Sequence, residues 1–162
     1  PHMRRSLHHT KRQREGSYHR DVVLHFDWRK RRVVYHNGRK AYKPRKLYWD
    51  TFDPLTLLYG FRRHRITRPQ ALNMSATDGL KTIRAKVRVI GRETIEAGDR
   101  SWRTWKVVPE LKDVEGIFKR SKDAEMEVWF SDDHRRLPVR LRSKVLIGSF
   151  TATLVDCQGV RP

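Results

Sequence analysis

"EMEVWFSDDHRRLPVRLR", Glu125 to Arg142, reads as two short strands about a polar tip, and the fold follows from how those strands pair. With the loop at Asp132 to Arg135, Phe130 faces Leu137, Val128 faces Val139 and Met126 faces Leu141, all on one side. The other side then sets Glu127 against Arg140 and Glu125 against Arg142. Such opposite-charge pairs across strands contribute about 0.2–1 kcal/mol each. A slip of one residue would put charges among the apolar side chains, so the alternation specifies its own pairing. A second hairpin, turning at Ile147-Gly148, sets Val145 against Phe150 and Leu141 against Leu154.

The same period of two recurs upstream. In "TIRAKVRVIG" (82–91), Ile83, Ala85, Val87 and Val89 lie on one side and Arg84, Lys86 and Arg88 on the other, the pattern of a half-buried strand. "SWRTWKVVP" (101–109) puts Trp105 and Val107 on one face, and Pro109 closes it. "DVVLHFD" and "RRVVYHNG" form a meander ending at the turn pair Asn37-Gly38. "KPRKLYWD" is a loop or an edge, because its proline cannot donate to a ladder. "ELKDVEGIFKRSKD" (110–123) reads as a long loop carrying Ile117 and Phe118 as an apolar plug. Only "DPLTLLYGFRR" suits a helix: Asp53 caps it, Pro54 starts it, Leu55, Leu58 and Tyr59 share a face, and Gly60 keeps it short. Arg4 to Glu15 is either a frayed arm or a strand whose partner is missing. The predicted fold is mainly β: a curved antiparallel sheet, an open or half barrel of meander topology, with one short helix packed on it. Residues 1–5, which begin Pro1-His2-Met3, read as a cloning remnant and flexible start; 6–157 form a single β domain, and 158–162 a tail.

The balance of 37 Lys+Arg against 18 Asp+Glu gives +19, which attracts phosphate, anionic lipid or acidic polysaccharide alike. Cys157 stands alone, which excludes an internal disulfide and a zinc site of paired cysteines. No apolar stretch approaches the roughly 20 residues that span a bilayer. There is no glycine-rich phosphate loop, and no serine or cysteine in a G-x-S-x-G setting.

Asp132, Asp133 and His134 sit side by side, yet turn chemistry accounts for the aspartates, whose side chains bond nearby amides. A metal there would need ligands from elsewhere that the sequence does not identify. His8 and His9, beside Lys11, Arg12 and Arg14, read as a solvated arm, while His19, His25 and His36 stand among strand residues and could line a surface. Aromatic and basic residues interleave from His25 to Trp49, a mixture that can stack bases. Strand faces with rings inside and charges outside give the same pattern. Nucleic acid is not the expected partner, since no such motif is present and glutamates interrupt the basic face of the last hairpin.

The run "VWFSDDHRRLPVRL" (128–141), preceded by "GIF" and followed by Gly148, closely resembles domain-of-unknown-function family 3108 of the bacterial envelope. So do Phe26-Asp27, "DPLTLLYGFR" (53–62), Asp78-Gly79, "VIGRE" (89–93) and "VVP" ending at Pro109. The resemblance covers roughly Glu15 to Val155. It implies a periplasmic or envelope protein that carries an export signal and further N-terminal strands. The implied fold is similar to the periplasmic lipoprotein carriers, an unclosed barrel with a helix against its concave side. Missing strands would leave an unpaired sheet edge open to self-association. The family implies no chemistry. In such a sheet Asp132, Asp133, Arg135 and Arg136 fix the hairpin, and Pro138 stands near a strand start.

The expected function is therefore a non-enzymatic binding module, without catalytic residue, metal or cofactor. Its concave face would accommodate a lipid, a lipidated partner or another hydrophobic segment through Leu55, Leu58, Phe61, Val87, Val89, Met126, Val128, Phe130, Val139, Leu141 and Phe150. The alternative is a polyanion or anionic-surface module using Arg29, Lys30, Arg31, Arg32, Arg84, Lys86 and Arg88.

Overall fold

Alternation of buried and exposed residues along the strands organises the computed structural model, which describes residues 5–110, 125–144 and 148–158. The protein is mainly β with one short helix, and its strands form two sheets, neither closed into a barrel. The chain divides into two units: the residues up to Gly60 with Met74–Arg84, and Phe61–Asn73 with the residues from Ala85 on.

In the first unit, β1 (His8–Glu15), β2 (Tyr18–Asp27), β3 (Arg32–Asn37) and β4 (Lys40–Ala41) pair in sequence order, and β5 (Arg45–Lys46) also pairs with β3. The N-terminal segment is thus neither a frayed arm nor a strand without a partner. From His8 it forms a hairpin with β2, in register from His8↔His25 to Glu15↔Tyr18. Nothing in its polar run advertises this, because backbone hydrogen bonds supply the pairing. Val22 and Leu24 of β2, with Val33 and Tyr35 of β3, point to one side and build a core with Leu47. Phe26, Trp28, Tyr42 and Leu80 pack against it. β6 (Thr51–Phe52) runs parallel to β7 (Gln70–Thr77), with Thr51 beside Ser75 and Phe52 beside Ala76.

The helix α1 (Pro54–Phe61) starts where the sequence places it. Asp53 accepts from the amides of Leu55 and Thr56 at 3.0 and 3.1 Å, satisfying two of the donors a helix start leaves open. Its packed face differs from the predicted one, for Leu55 and Tyr59 turn outward and Leu58 is half-buried. The face that packs carries Gly60: a Cβ there would stand 2.8 Å from the Phe52 ring, so a side chain would lift the helix off.

The larger sheet follows the order β12-β11-β10-β9-β8-β7-β6. The strands of the second unit are antiparallel: β8 (Thr82–Ala97), β9 (Arg100–Pro109), β10 (Glu125–Ser131), β11 (Pro138–Lys144) and β12 (Ser149–Thr153). On β8, Val87 and Val89 are buried while Arg84, Lys86 and Arg88 are exposed, as the alternation demands. At Ile90 the strand bulges, so that Val89 faces Val107 but Gly91 faces Lys106. An extra residue reverses the facing of the strand beyond it. There Ile95 and Ala97 join Trp102, Leu137, Val139, Leu154 and Cys157 in a second small core on the opposite side.

The register of the last two hairpins departs from the sequence-derived one by two residues. Val128 faces Leu141, Glu127 faces Arg142 and Glu125 faces Lys144. The cause lies at the tip. Ser131 and Leu137 close a five-residue loop through Ser131 N–H to Leu137 O, 2.9 Å, and Leu137 N–H to Ser131 Oγ, 2.8 Å. Val139 is then the surplus residue of a bulge, since Trp129 faces Arg140 but Phe130 faces Pro138. Beyond the bulge a shift of two keeps each residue on its side, so Met126, Val128 and Leu141 still share the apolar face, but Leu137 and Val139, predicted on that face as well, pack in the small core opposite. Likewise Phe150 faces Ser143 and Ala152 faces Leu141, while the Leu154 amide reaches Val139 O at 2.8 Å. Val145, Ile117 and Phe118 lie outside the described residues.

Candidate functional site

At the hairpin tip, the two aspartates are occupied by different partners. Asp132 accepts from Trp105 Nε1 at 2.6 Å and faces Arg92 Nε at 2.9 Å and Arg103 at 3.5 Å. The Arg92 guanidinium also lies 4.4 Å over the Trp105 ring. Asp133 turns the other way: its Oδ1 accepts from the Ser131 hydroxyl at 2.7 Å and from the amides of Arg135 and Arg136 at 3.0 and 3.1 Å. Arg135 Nε closes on Oδ2 at 2.8 Å. Burial alone would raise the Asp133 carboxyl, but the hydrogen bonds from Ser131 and Arg135 hold it below the ordinary carboxylate value. Arg136 takes the left-handed backbone at φ 44°, and its side chain reaches Ile66 O at 3.4 Å. Arg62 Nε donates to Arg135 O at 2.5 Å, and His134 is exposed. The Asp133 bonds shape a turn, whereas Asp132, predicted to bond nearby amides as well, instead ties the tip to β8 and β9 through Arg92, Arg103 and Trp105. Replacing Asp133 by alanine strands two loop amides and the Ser131 hydroxyl, so about 1–2 kcal/mol of stability is lost. Urea unfolding should show a lower midpoint with an unchanged slope.

A second polar cluster surrounds Asp53, which is 1% exposed. Besides the two helix amides it accepts from Ser6 Oγ at 2.6 Å and Thr56 Oγ1 at 2.5 Å, and His9 Nδ1 lies 3.0 Å from its Oδ1. The Asp53 amide donates back to Ser6 Oγ at 3.1 Å, and Trp28 Nε1 donates to Ser6 O at 2.7 Å. Burial pushes this carboxyl up, yet the hydrogen bonds from Ser6 and Thr56 outweigh it and the group sits below its ordinary value. Serine, histidine and aspartate are all present, but the carboxylate stands between the hydroxyl and the imidazole. Nucleophile activation needs the base bonded to the hydroxyl. This arrangement instead ties residues 6–9 to the start of α1. Sequence reasoning identified the cap and missed Ser6, His9 and Thr56, which lie too far apart or too near the helix to carry a signal.

Of the predicted lining residues, Phe61, Val87, Val89, Val128 and Phe130 are buried in the second unit with Trp105 and Val107, and Phe61 stacks on Phe130 at 4.2 Å between ring centres. Val139 is buried too, in the small core across the sheet. Met126 and Leu141 are half-buried and Phe150 is exposed, while Leu55 and Leu58 belong to the first unit. A recess of 340 Å³ near the chain's end is lined by Ala97, Asp99, Arg100, Trp102 and residues 154–157.

The predicted basic residues also separate. Arg29 to Arg32 and Arg84 stand in the first unit, Lys86 and Arg88 in the second. Arg32 faces Asp27 at 3.4 Å and Arg88 faces Glu110 at 3.2 Å. Arg84 lies 4.0 Å over the Tyr48 ring, Arg31 5.6 Å over Trp49, and Arg5 5.0 Å over both Trp28 and Trp49. In the second unit Lys106 covers Trp129, whose indole donates to Glu93, and Arg100 lies 3.6 Å over Trp102. Cations over ring faces are attracted by the ring quadrupole, and their stems cover apolar surface.

These features define a β-sheet protein whose described acidic side chains serve mainly turns, caps and ion pairs, and whose cations lie over aromatic rings. The chain belongs to the family described as "Protein of unknown function (DUF3108)", whose model matches residues 2–155. No curated protein and no solved structure matches it.

Proposed function

We propose that the protein is a non-enzymatic binding module of the bacterial envelope that docks on an anionic bilayer surface through its first unit. The observation that carries this reading is Trp49, 60% exposed, with Arg5 and Arg31 over its ring. Leu7 at 71%, Leu55 at 59% and Tyr59 at 42% are exposed in the same unit. Leu7 follows directly on Ser6 and Leu55 directly precedes Thr56, so both stand next to the Ser6–Thr56 hydroxyl contact of 2.7 Å. Tryptophan and tyrosine favour the headgroup level of a membrane, where an arginine lays its stem along apolar groups and its charge at the phosphates. Each such cation near an anionic surface is worth about 1 kcal/mol.

Sedimentation with vesicles of phosphatidylglycerol and phosphatidylcholine tests this. Binding is expected to the anionic vesicles, to weaken steeply as salt rises, and to fall about fivefold for Arg31→Ala. Equal binding to pure phosphatidylcholine, or unchanged binding of Trp49→Ala, would reject the reading. A hydrophobic partner on the second unit is the other reading. It is favoured by half-buried Met126 and Leu141 beside exposed Phe150, on the face bordered by the wholly exposed β12.

A further inference from the structure

We propose that His8, His25 and His36 form a chelating site for a borderline divalent transition ion such as Zn²⁺ on the outward side of the first unit's sheet. The core of that sheet uses Val22, Leu24, Val33 and Tyr35, so the residues between them face away from it. On this outward side His8 stands directly opposite His25. His36 faces Val23, one pleat along from His25 on the next strand. The ring centres of His8 and His25 are 5.1 Å apart, and those of His25 and His36 5.2 Å. His25 is the shared member, and three adjacent strands each contribute one imidazole.

Two of the three pairs already have the spacing a metal requires, while His8 and His36 stand on the strands either side of β2, about 10 Å apart at the backbone, and must lean in over His25. Each nitrogen of a tetrahedral zinc site lies about 2.0–2.1 Å from the ion, which places each ring centre about 3 Å away and two ring centres about 5 Å apart. Among the described residues no group of three His, Cys, Asp or Glu side chains could hold an ion with its side chains placed as they are. The rings here stand at 37° and 90° to one another, so closure needs side-chain rotation. His8 and His25 are exposed and His36 half-buried, so rotation asks nothing of the core. The paired strands meanwhile hold the three Cα positions. Nitrogen donors select Zn²⁺, Ni²⁺ or Cu²⁺ over Mg²⁺ or Ca²⁺, which take oxygen ligands. The two carboxylates on the same side are engaged elsewhere, Asp21 with Arg14 at 2.9 Å and Asp27 with Arg32 at 3.4 Å. Water completes the coordination.

Calorimetric titration of the whole chain with zinc chloride, beside His25→Ala and His134→Ala, decides the matter. Circular dichroism confirms that each variant is folded. The expected result is a binding event in the micromolar range that His25→Ala weakens about tenfold or more and His134→Ala leaves unchanged. No heat up to about 1 mM zinc, or equal affinity in wild type and His25→Ala, would overturn the assignment.

Discussion

Asp53→Ala should cost about 2–4 kcal/mol. The helix loses its cap, worth about 1 kcal/mol. The Ser6 and Thr56 hydroxyls and the Leu55 and Thr56 amides lose the acceptor they share in a buried place, and stranded buried groups cost about 1–3 kcal/mol. In a chain of this size each kcal/mol moves the melting midpoint by about 2–4 °C, so a fall of about 10 °C is expected. Asp53→Asn keeps an oxygen for the helix amides and should lose about half as much. Wild type and Asp53→Asn also separate by pH. The folded Asp53 carboxyl lies below its ordinary value, so the stability it contributes is present above the unfolded value of about 3.9 and is lost as pH falls through the folded one. Melting curves recorded from neutral pH downward should show wild type and Asp53→Asn converging in acid. If Asp53→Ala melts within a degree or two of wild type, the lock between residues 6–9 and α1 does not exist.

What the sequence makes legible is what local chemistry decides. The alternation of β8, the cap at Asp53 and the turn aspartate at Asp133 each depend on neighbours within a few residues, and the structure has all three. The hairpin register fails by two residues, one from the five-residue loop that Ser131 closes on Leu137 and one from the bulge at Val139, and the Ser131 hydroxyl that helps close the loop carries no positional signal. The bulges at Ile90 and Val139 are equally silent, for both residues suit an unbroken strand. Yet they decide which side the next residues face, and so create the second small core around Trp102. The pairing of β1 was hidden for another reason. Its side chains are polar on both sides, and the contact of Ser6 with Asp53 spans 47 residues. For the candidate sites, the mixture of rings and cations from His25 to Trp49 was visible as composition. Which cation lies over which ring, and which histidines meet across strands, depends on register and was not.

Gly79→Ala should lose about 2–5 kcal/mol, for two reasons that a second glycine can separate. Gly79 has φ 85°, a conformation in which an alanine Cβ is strained, at a cost of about 1–2 kcal/mol. The backbone cannot relax away from it. Thr77 Oγ1 accepts from the Gly79 amide at 3.0 Å, and Asp78 Oδ1 accepts from the Leu80 and Lys81 amides, both at 2.8 Å. A Cβ here would also stand 2.4 Å from Leu24 Cδ2 and 3.0 Å from Tyr35 Cβ, both in the first unit's core. Overpacking a filled core adds about 1–3 kcal/mol. Gly38 shares the positive φ, 56°, but a Cβ there meets nothing within 4 Å. Gly38→Ala therefore carries the backbone cost alone, about 1–2 kcal/mol. Urea unfolding of the two variants side by side gives the steric part as the difference, and in a background of Leu24→Ala, itself a core deletion costing about 2–5 kcal/mol, Gly79→Ala should cost less than it does in wild type, since the removed methyls make room for the added one. Equal losses for the two glycines would mean that Leu24 does not close on Gly79, and the first unit's core would then need to be drawn without that contact.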